Sequence, residues 1–301
     1  MKTKDKLPKL IVIAGPTASG KTALSLKLAK KFKGEIISAD SRAIYKKLDI
    51  GTAKPTKEER NIVPHHLINL VEPDDVLTLS QYKELAVKKI KKITSRNRLP
   101  FLVGGTALYI YAVIGNWQIP EVSPNKKLRA ELEKQTAEKL YLQLLKKDHG
   151  AKNFIDPQNK RRIIRALEVI ATTKKTFSEQ RKKGEPLFDT LIIGIKRTPE
   201  ELKKIISART KKMIRAGLIK EVGGILKKGY SSKLPALSGI HYKEIIAYLK
   251  KEITLPEAIA LINKNNEKLV KHQLTWFKRD KGIRWIKNYA QANSLLKNFL
   301  Q

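Results

Sequence analysis

Cysteine is missing from the chain, which excludes both a disulfide framework and a zinc site built on thiolates. No apolar run approaches the roughly 20 residues that a membrane-spanning helix needs. Met1–Lys6 lead into a strand pattern rather than the apolar core of a secretion signal. Internal repeats and low-complexity tracts are lacking as well. Acidic side chains are scarce: 28 Asp and Glu stand against 63 Lys and Arg, a formal charge of +35. A field of that size favours a polyanionic partner such as nucleic acid. Runs such as Lys88-Lys89-Ile90-Lys91-Lys92 also fit a general lysine bias, so charge supports that partner without fixing it. With 301 residues, 41% of them apolar, the chain can bury one large core or two smaller ones. A cytoplasmic protein with no membrane attachment is the simplest expectation.

The richest segment is Leu10–Thr22, a β-branched run followed by Gly15-Pro16-Thr17-Ala18-Ser19-Gly20-Lys21-Thr22 and then a helical pattern. Strand, Gly-x-x-x-x-Gly-Lys-Thr and helix in that order form a phosphate-binding loop of the ATP-binding type. Gly15 and Gly20 let the backbone wrap an anion with successive N–H groups. Lys21 adds a mobile cation, the following helix adds the positive end of its dipole, and the Thr22 hydroxyl is a candidate Mg²⁺ ligand.

The first hundred residues read as repeated strand–helix units. Leu24, Leu28 and Phe32 share one face of the helix after the loop, and Gly34 stops it. Glu35–Asp40 reads as a second strand, Thr78-Leu79-Ser80-Gln81 as a capping box opening a helix, and Pro100–Thr106 as a third strand. Apolar strands alternating with helices predict an α/β fold, a parallel P-loop-type sheet with helices on both faces. Thr17, Asp40 and Thr106 then lie at carboxyl ends of strands, where such sheets bind ligands. From Trp117 the texture turns helical. One helix is expected from Ser123-Pro124 through Leu128, Leu132, Leu140 and Leu144, and another from Asp156-Pro157 through Ile163, Leu167 and Ala171. Strand pattern resumes at Leu191–Ile195, helices run to about Trp276, and Gly282–Ile286 reads as a last strand. The expected organisation is a core of residues 1–117 and 189–301 interrupted by an all-helical insert, 118–188.

Asp40, at a strand end beside the phosphate loop, suits a Mg²⁺ ligand or a general base, and equally a turn-forming side chain. Gly104-Gly105-Thr106 offers a hydroxyl and N–H groups at a helix start, an anion site or a plain N-cap. The third strand ends without a Walker-B aspartate, and no arginine-finger pattern stands out. Adjacent His65 and His66 make a poor metal pair and suit structural or substrate contacts. Arg161 and Arg165 share a helix face fit for phosphodiesters, or for solvent with Arg165 paired to Glu168. Arg209, four residues before Met213 on an expected helix, is similarly open.

Gly15–Thr22, Ile37–Tyr45, Asp49–Pro55, Pro64-His65-His66 and Val103–Tyr109 occur in order with Arg165–Val169, Met213–Leu218 and Gln273–Phe277. In this ordered set the chain resembles the bacterial tRNA dimethylallyltransferases over nearly its whole length. The resemblance implies transfer of a dimethylallyl group from its diphosphate to N6 of the adenosine 3′ of the anticodon, at tRNA position 37. It implies that Gly15–Thr22 hold dimethylallyl diphosphate with Mg²⁺, that Asp40 accepts the amine proton, and that Thr106 and Arg209 stabilise the departing diphosphate. It also implies tRNA contacts by Asp40, Ser41, Arg42, Ala43, Thr106 and Arg129, and by Arg161, Arg162, Ile163, Ile164 and Arg165, in a monomeric enzyme. The chain departs from the family pattern at His241 (usually Gly), Ile205 (usually Arg) and His272 (usually Arg or Lys). A leaving diphosphate needs no Walker-B acid, whereas a small-molecule kinase, the alternative enzyme reading, does. A nucleic-acid binder with an inert loop would not need Asp40 and Thr106.

Overall fold

The computed structural model describes residues 7–180 and 182–301; Met1–Lys6, read above as the approach to the first strand, lie outside the described residues. In chain order the elements begin with β1 (Lys9–Ala14), α1 (Lys21–Lys31), β2 (Gly34–Ser38), α2 (Lys57–Ile62), β3 (His65–His66), α3 (Leu79–Thr94), β4 (Leu99–Gly104) and α4 (Ala107–Ile114). Helices α5 (Lys126–Glu133), α6 (Ala137–Lys147) and α7 (Lys160–Thr173) follow. The chain ends with β5 (Asp189–Ile195), α8 (Pro199–Arg215), α9 (Leu218–Lys227), α10 (Tyr242–Leu249), α11 (Leu255–Phe277), β6 (Arg284–Ile286) and α12 (Tyr289–Leu300).

The strands form one sheet in the order β3-β2-β4-β1-β5-β6, with all pairs parallel. The period-2 geometry of β1 explains why its sequence is apolar without alternation. Leu10, Val12 and Ala14 enter one core with Ile37 and Leu102, while Ile11 and Ile13 enter the opposite core with Ile36, Phe101 and Ile193. Each such buried Val, Leu, Ile or Phe side chain stabilises the fold by about 1.5–3 kcal/mol. The expected α/β sheet with helices on both faces is what is found. The chain reverses its strand order between β4 and β1, so the carboxyl ends of β1, β2 and β4 frame the crevice where open parallel sheets bind ligands.

The chain divides into two compact units, one running to Ile114 and resuming at Leu187, the other spanning Gly115–Pro186. The second holds its own core of Leu132, Leu140, Leu144, Ile163, Ile164 and Leu167. Its helix starts differ from the sequence expectation. The single helix expected from Ser123-Pro124 is two: Asn125 caps α5 by accepting from Leu128 N, and Thr136 caps a separate α6 by accepting from Lys139 N. The start expected at Asp156-Pro157 falls at Lys160. Asp156 Oδ1 instead accepts from Gln158 N at 2.9 Å, an Asx turn, and Asn159 supplies the cap.

Candidate active site

The loop between β1 and α1 takes its shape from backbone that few residues tolerate. Gly15 has φ +146° and Gly20 φ +97°, and Ala18 is also held in the left-handed region at φ +65°. Strain of this kind costs on the order of 1–3 kcal/mol and gathers where a ligand is gripped. Gly20 offers no capping side chain, and the first turn of α1 has no acidic residue. Its N–H groups and positive dipole end are therefore left for an anion from outside. Ser19 Oγ is buried without a hydrogen-bond partner among the described residues, and such a group calls for one. Lys21 Nζ donates to Pro16 O at 2.6 Å, folding over the loop. Burial pulls this ammonium down to about 8, Asp40 opposes that, and Arg209 reinforces it.

Residues far apart in sequence converge on this loop. Arg209 Nη2, from α8, donates to Thr17 Oγ1 at 2.8 Å. Thr17 N donates to Gln273 Oε1 at 2.8 Å, and Gln273 Nε2 donates to Gly105 O at 2.8 Å. One amide side chain from α11 thus ties the phosphate loop to the turn after β4. Burial lowers the Arg209 pKa, with Asp40 acting the other way; the guanidinium stays charged at any physiological pH.

Asp40 sits at the end of β2. Its Oδ1 accepts from Arg42 N at 2.8 Å and from Ala43 N at 3.4 Å. The turn-forming reading of Asp40 is therefore realised, and the same bonds hold the carboxylate in place. Ser41 N donates to Thr106 Oγ1 at 3.1 Å, and Thr106 N donates to Ala39 O at 3.1 Å, so the β2 and β4 ends are stitched together. The approach is so close that a Cβ at Gly104 would stand 2.0 Å from Ala39 O. A cavity of about 90 Å³ beside this junction is lined by Lys21, Thr22, Ser38, Asp40, Lys54 and Gly104. A second, of about 520 Å³, is lined by Lys212, Met213 and Arg209, and shares Ala53, Lys54 and Pro55 with the first.

The residues singled out for RNA contact divide into several groups. Ala43, Ile163 and Ile164 are buried, at 4%, 0% and 3% exposure, with their side chains in the cores. Apolar side chains on the inner face of a packed element have no other place. Arg42 Nη1 donates to Pro235 O at 2.6 Å. Arg129 makes a two-pronged pair with the buried Glu168, its Nε to Oε1 at 2.8 Å and Nη2 to Oε2 at 2.7 Å. Arg165 Nη1 donates to Glu168 Oε2 at 2.6 Å, so the intrahelical pairing weighed from the sequence is present. Arg161 is exposed on the same helix. His66 Nε2 bonds Glu35 Oε2 at 2.7 Å on the β3 edge, a structural role, while His65 lines the smaller cavity.

Spacing gave no role to Gln273, Lys54 or Glu221. Gln273 reaches Thr17 across 256 positions of sequence. Lys54 Nζ donates to Asp49 Oδ1 at 2.8 Å and Asn69 Oδ1 at 2.6 Å, with only 4% of its side chain exposed. Only the ordered motifs containing the first two marked them out; Glu221 carried no such signal.

Residues 43–280 match the family described as IPP transferase. The chain is 48% identical over 274 residues to the tRNA dimethylallyltransferase of Roseiflexus sp. (strain RS-1), covering 90% of each chain. With that of Pelotomaculum thermopropionicum it shares 42% over 302 residues, 98% of this chain and 96% of the relative. Among solved structures it is similar to the full-length tRNA isopentenylpyrophosphate transferase of Bacillus halodurans, with TM-score 0.72, 36% identity and coverage of 97% and 95%. A eukaryotic dimethylallyltransferase acting on tRNA has TM-score 0.80 at 26% identity, with 97% of this chain and 80% of that chain covered.

Proposed function

The chain belongs to the IPP transferase family, and from that membership and the site geometry we propose how it acts. It is a tRNA dimethylallyltransferase that moves the dimethylallyl group of dimethylallyl diphosphate to N6 of the adenosine at tRNA position 37. The observation that carries this reading is the meeting of Lys21, Thr22 and Asp40 around one cavity, with Arg209 bonded to the same loop.

The chemistry follows from what each group can do. An adenine amine is a weak nucleophile, so the barrier falls mainly through positioning and stabilisation of the leaving group. The loop amides not already used (Pro16 has none, and Thr17 N donates to Gln273), the Lys21 ammonium and the Arg209 guanidinium hold the diphosphate. The bond from the prenyl C1 to the diphosphate oxygen breaks as N6 bonds C1, and the diphosphate leaves with that electron pair. N6 then carries an extra proton, which the Asp40 carboxylate takes. Thr106 and the amides beside it lie next to Asp40 and serve the same leaving group. Ser19 Oγ, buried without a partner, gains one in the diphosphate.

The donor set also fits Mg²⁺. No cluster of three or more His, Asp or Glu occurs among the described residues. Mg²⁺ is commonly held by one or two protein oxygens plus phosphates and water; the Thr22 hydroxyl would serve, leaving the Asp40 carboxylate free to take the proton. When bound, the ion neutralises charge on the diphosphate. The target base must leave its stack, which costs a few kcal/mol and least in a loop. The charge of +35 supplies attraction to the tRNA backbone, with Ser41, Arg42, Arg129 and the Arg161–Arg165 face as contacts. No helix of the described residues is long and apolar enough to cross a membrane; a monomer acting in the cytoplasm is part of the proposal.

Incubation with labelled dimethylallyl diphosphate and a tRNA bearing adenosine 37 tests it. Label should appear on N6 of that base with release of diphosphate. Folded protein that transfers none, or that needs ATP to act on a small molecule, would overturn it.

A further inference from the structure

The segment Asp49–Pro55 ends in the three residues that line both cavities, Ala53, Lys54 and Pro55, and its anchoring is unusual. The Glu221 carboxylate, on α9, accepts from three successive backbone amides. Asp49 N and Ile50 N donate to Oε2 at 2.9 and 2.7 Å, and Gly51 N donates to Oε1 at 3.2 Å. Tyr242 OH, on α10, donates to the same Oε1 at 2.7 Å. Burial and the Glu221 charge both push the Tyr242 pKa up, so the phenol remains a donor. Gly51 lies directly against the Tyr242 ring, where a Cβ would stand 2.6 Å from ring carbons. The buried His241 ring, beside Gly51, bonds Asn266 Nδ2 at 3.2 Å.

Beyond Gly51 the segment carries Ala53, Lys54 and Pro55, the three residues lining both cavities. Lys54 is pinned in turn by Asp49 and Asn69, and its ammonium is buried close to the phosphate loop's cavity. Nothing in the chemistry of transfer requires a carboxylate at Glu221. A carboxylate that neutralises three amide donors does, however, set where the next four residues lie.

Resting on the reading that Gly15–Thr22 hold the donor's diphosphate, we infer that Glu221 is a positioning residue for the prenyl donor. It acts through the Asp49–Gly51 amides to place the Ala53–Pro55 wall and the Lys54 charge against the donor site. On this inference the clamp acts on donor binding and leaves tRNA binding unchanged.

Steady-state kinetics of Glu221→Gln, Tyr242→Phe and Lys21→Ala on the full chain, varying donor and tRNA separately, test the inference. Glu221→Gln keeps the shape but turns an amide NH₂ toward backbone donors, so donor KM rises about tenfold or more. The tRNA KM stays within about twofold of wild type. Tyr242→Phe leaves all three amides satisfied and shifts donor KM only by about two- to fivefold. Thermal unfolding run alongside shows whether Glu221→Gln remains folded; should it not, Tyr242→Phe with its donor-only shift is the deciding variant. Equal changes in donor and tRNA KM, or none in either, would overturn the inference. Lys21→Ala separates the two readings: if it too leaves donor KM unchanged, the diphosphate assignment fails, and if only the clamp variants are silent, the clamp inference alone fails.

Discussion

Glu168→Gln in the helical unit joins a measurable energy to a functional question. Glu168 is fully buried and accepts four hydrogen bonds: from Arg129 Nε and Nη2, Arg165 Nη1 and Asn125 N, all between 2.6 and 2.8 Å. Burial alone would raise its pKa. Arg129 and Arg165, with the Asn125 amide, overturn that and hold the carboxyl down to about 2 against an ordinary 4.5. At about 1.4 kcal/mol per pH unit the displacement is worth about 3 kcal/mol. Removing one partner of a buried ion pair costs a similar 3–5 kcal/mol. Because the folded pKa is the lower one, the stabilisation is complete above about pH 4.5 and is lost as pH falls toward about 2. Native-state hydrogen exchange of the full chain, read at the amides of α5 and α7, should show protection lowered by about two powers of ten or more in Glu168→Gln. The same variant adds one positive charge, so charge alone would tighten tRNA binding. If Glu168 aims Arg129 and Arg165 at the tRNA, binding weakens instead. Unchanged protection in α5 and α7 would refute the energetic reasoning, and tighter tRNA binding would refute the aiming role.

Lys21 makes donor capture pH-dependent. The ammonium is charged below about pH 8 and neutral above it; on the proposed reading diphosphate binds the charged form, so kcat/KM for the donor should fall above about pH 8. Lys21→Arg should carry that decline to higher pH, and a flat profile from pH 7 to 9.5 would contradict it. Gly104→Ala drives a methyl to 2.0 Å from Ala39 O, next to Asp40, so unfolding measurements should show a loss of about 3 kcal/mol or more and activity should collapse; wild-type behaviour would mean the two strand ends can part. At His241 two effects oppose. Its φ of +82° is strained by about 1–3 kcal/mol, but the buried ring bonds Asn266. Glycine removes the strain and loses the ring, and denaturant unfolding of His241→Gly should show a net loss of about 1–2 kcal/mol; a gain in stability would show that the ring contributes little.

What could be read from the sequence was local and consecutive. β1, the phosphate loop and α1 occupy adjacent residues, so their order alone pointed to both the fold class and the proposed anion site. The capping box at Thr78 and Gln81 was legible for the same reason, and the structure realises it. β3 was not, because His65–His66 become a strand only by pairing with Ile36 and Ile37 at the sheet edge. In the insert, Asp156 and Ser123 resembled caps, but Asp156 spends its carboxylate on an Asx turn. Arg209 and Asp40 were singled out, whereas Gln273 had no stated role because its partners lie in two distant turns. Glu221 was invisible: three amides some 170 positions away cannot be inferred from a glutamate on an amphipathic helix. Ile163 and Ile164 came along with their arginine neighbours, and helical periodicity turned them inward.

The most direct test of the account is single-turnover transfer by Asp40→Asn with donor and tRNA both saturating. Asparagine can still accept from the Arg42 and Ala43 amides but cannot take a proton from N6. The transfer rate should fall by a factor of about 10²–10⁴, with the tRNA Kd within about twofold of wild type. Transfer at the wild-type rate would contradict the claim that the carboxylate beside the phosphate loop is the base.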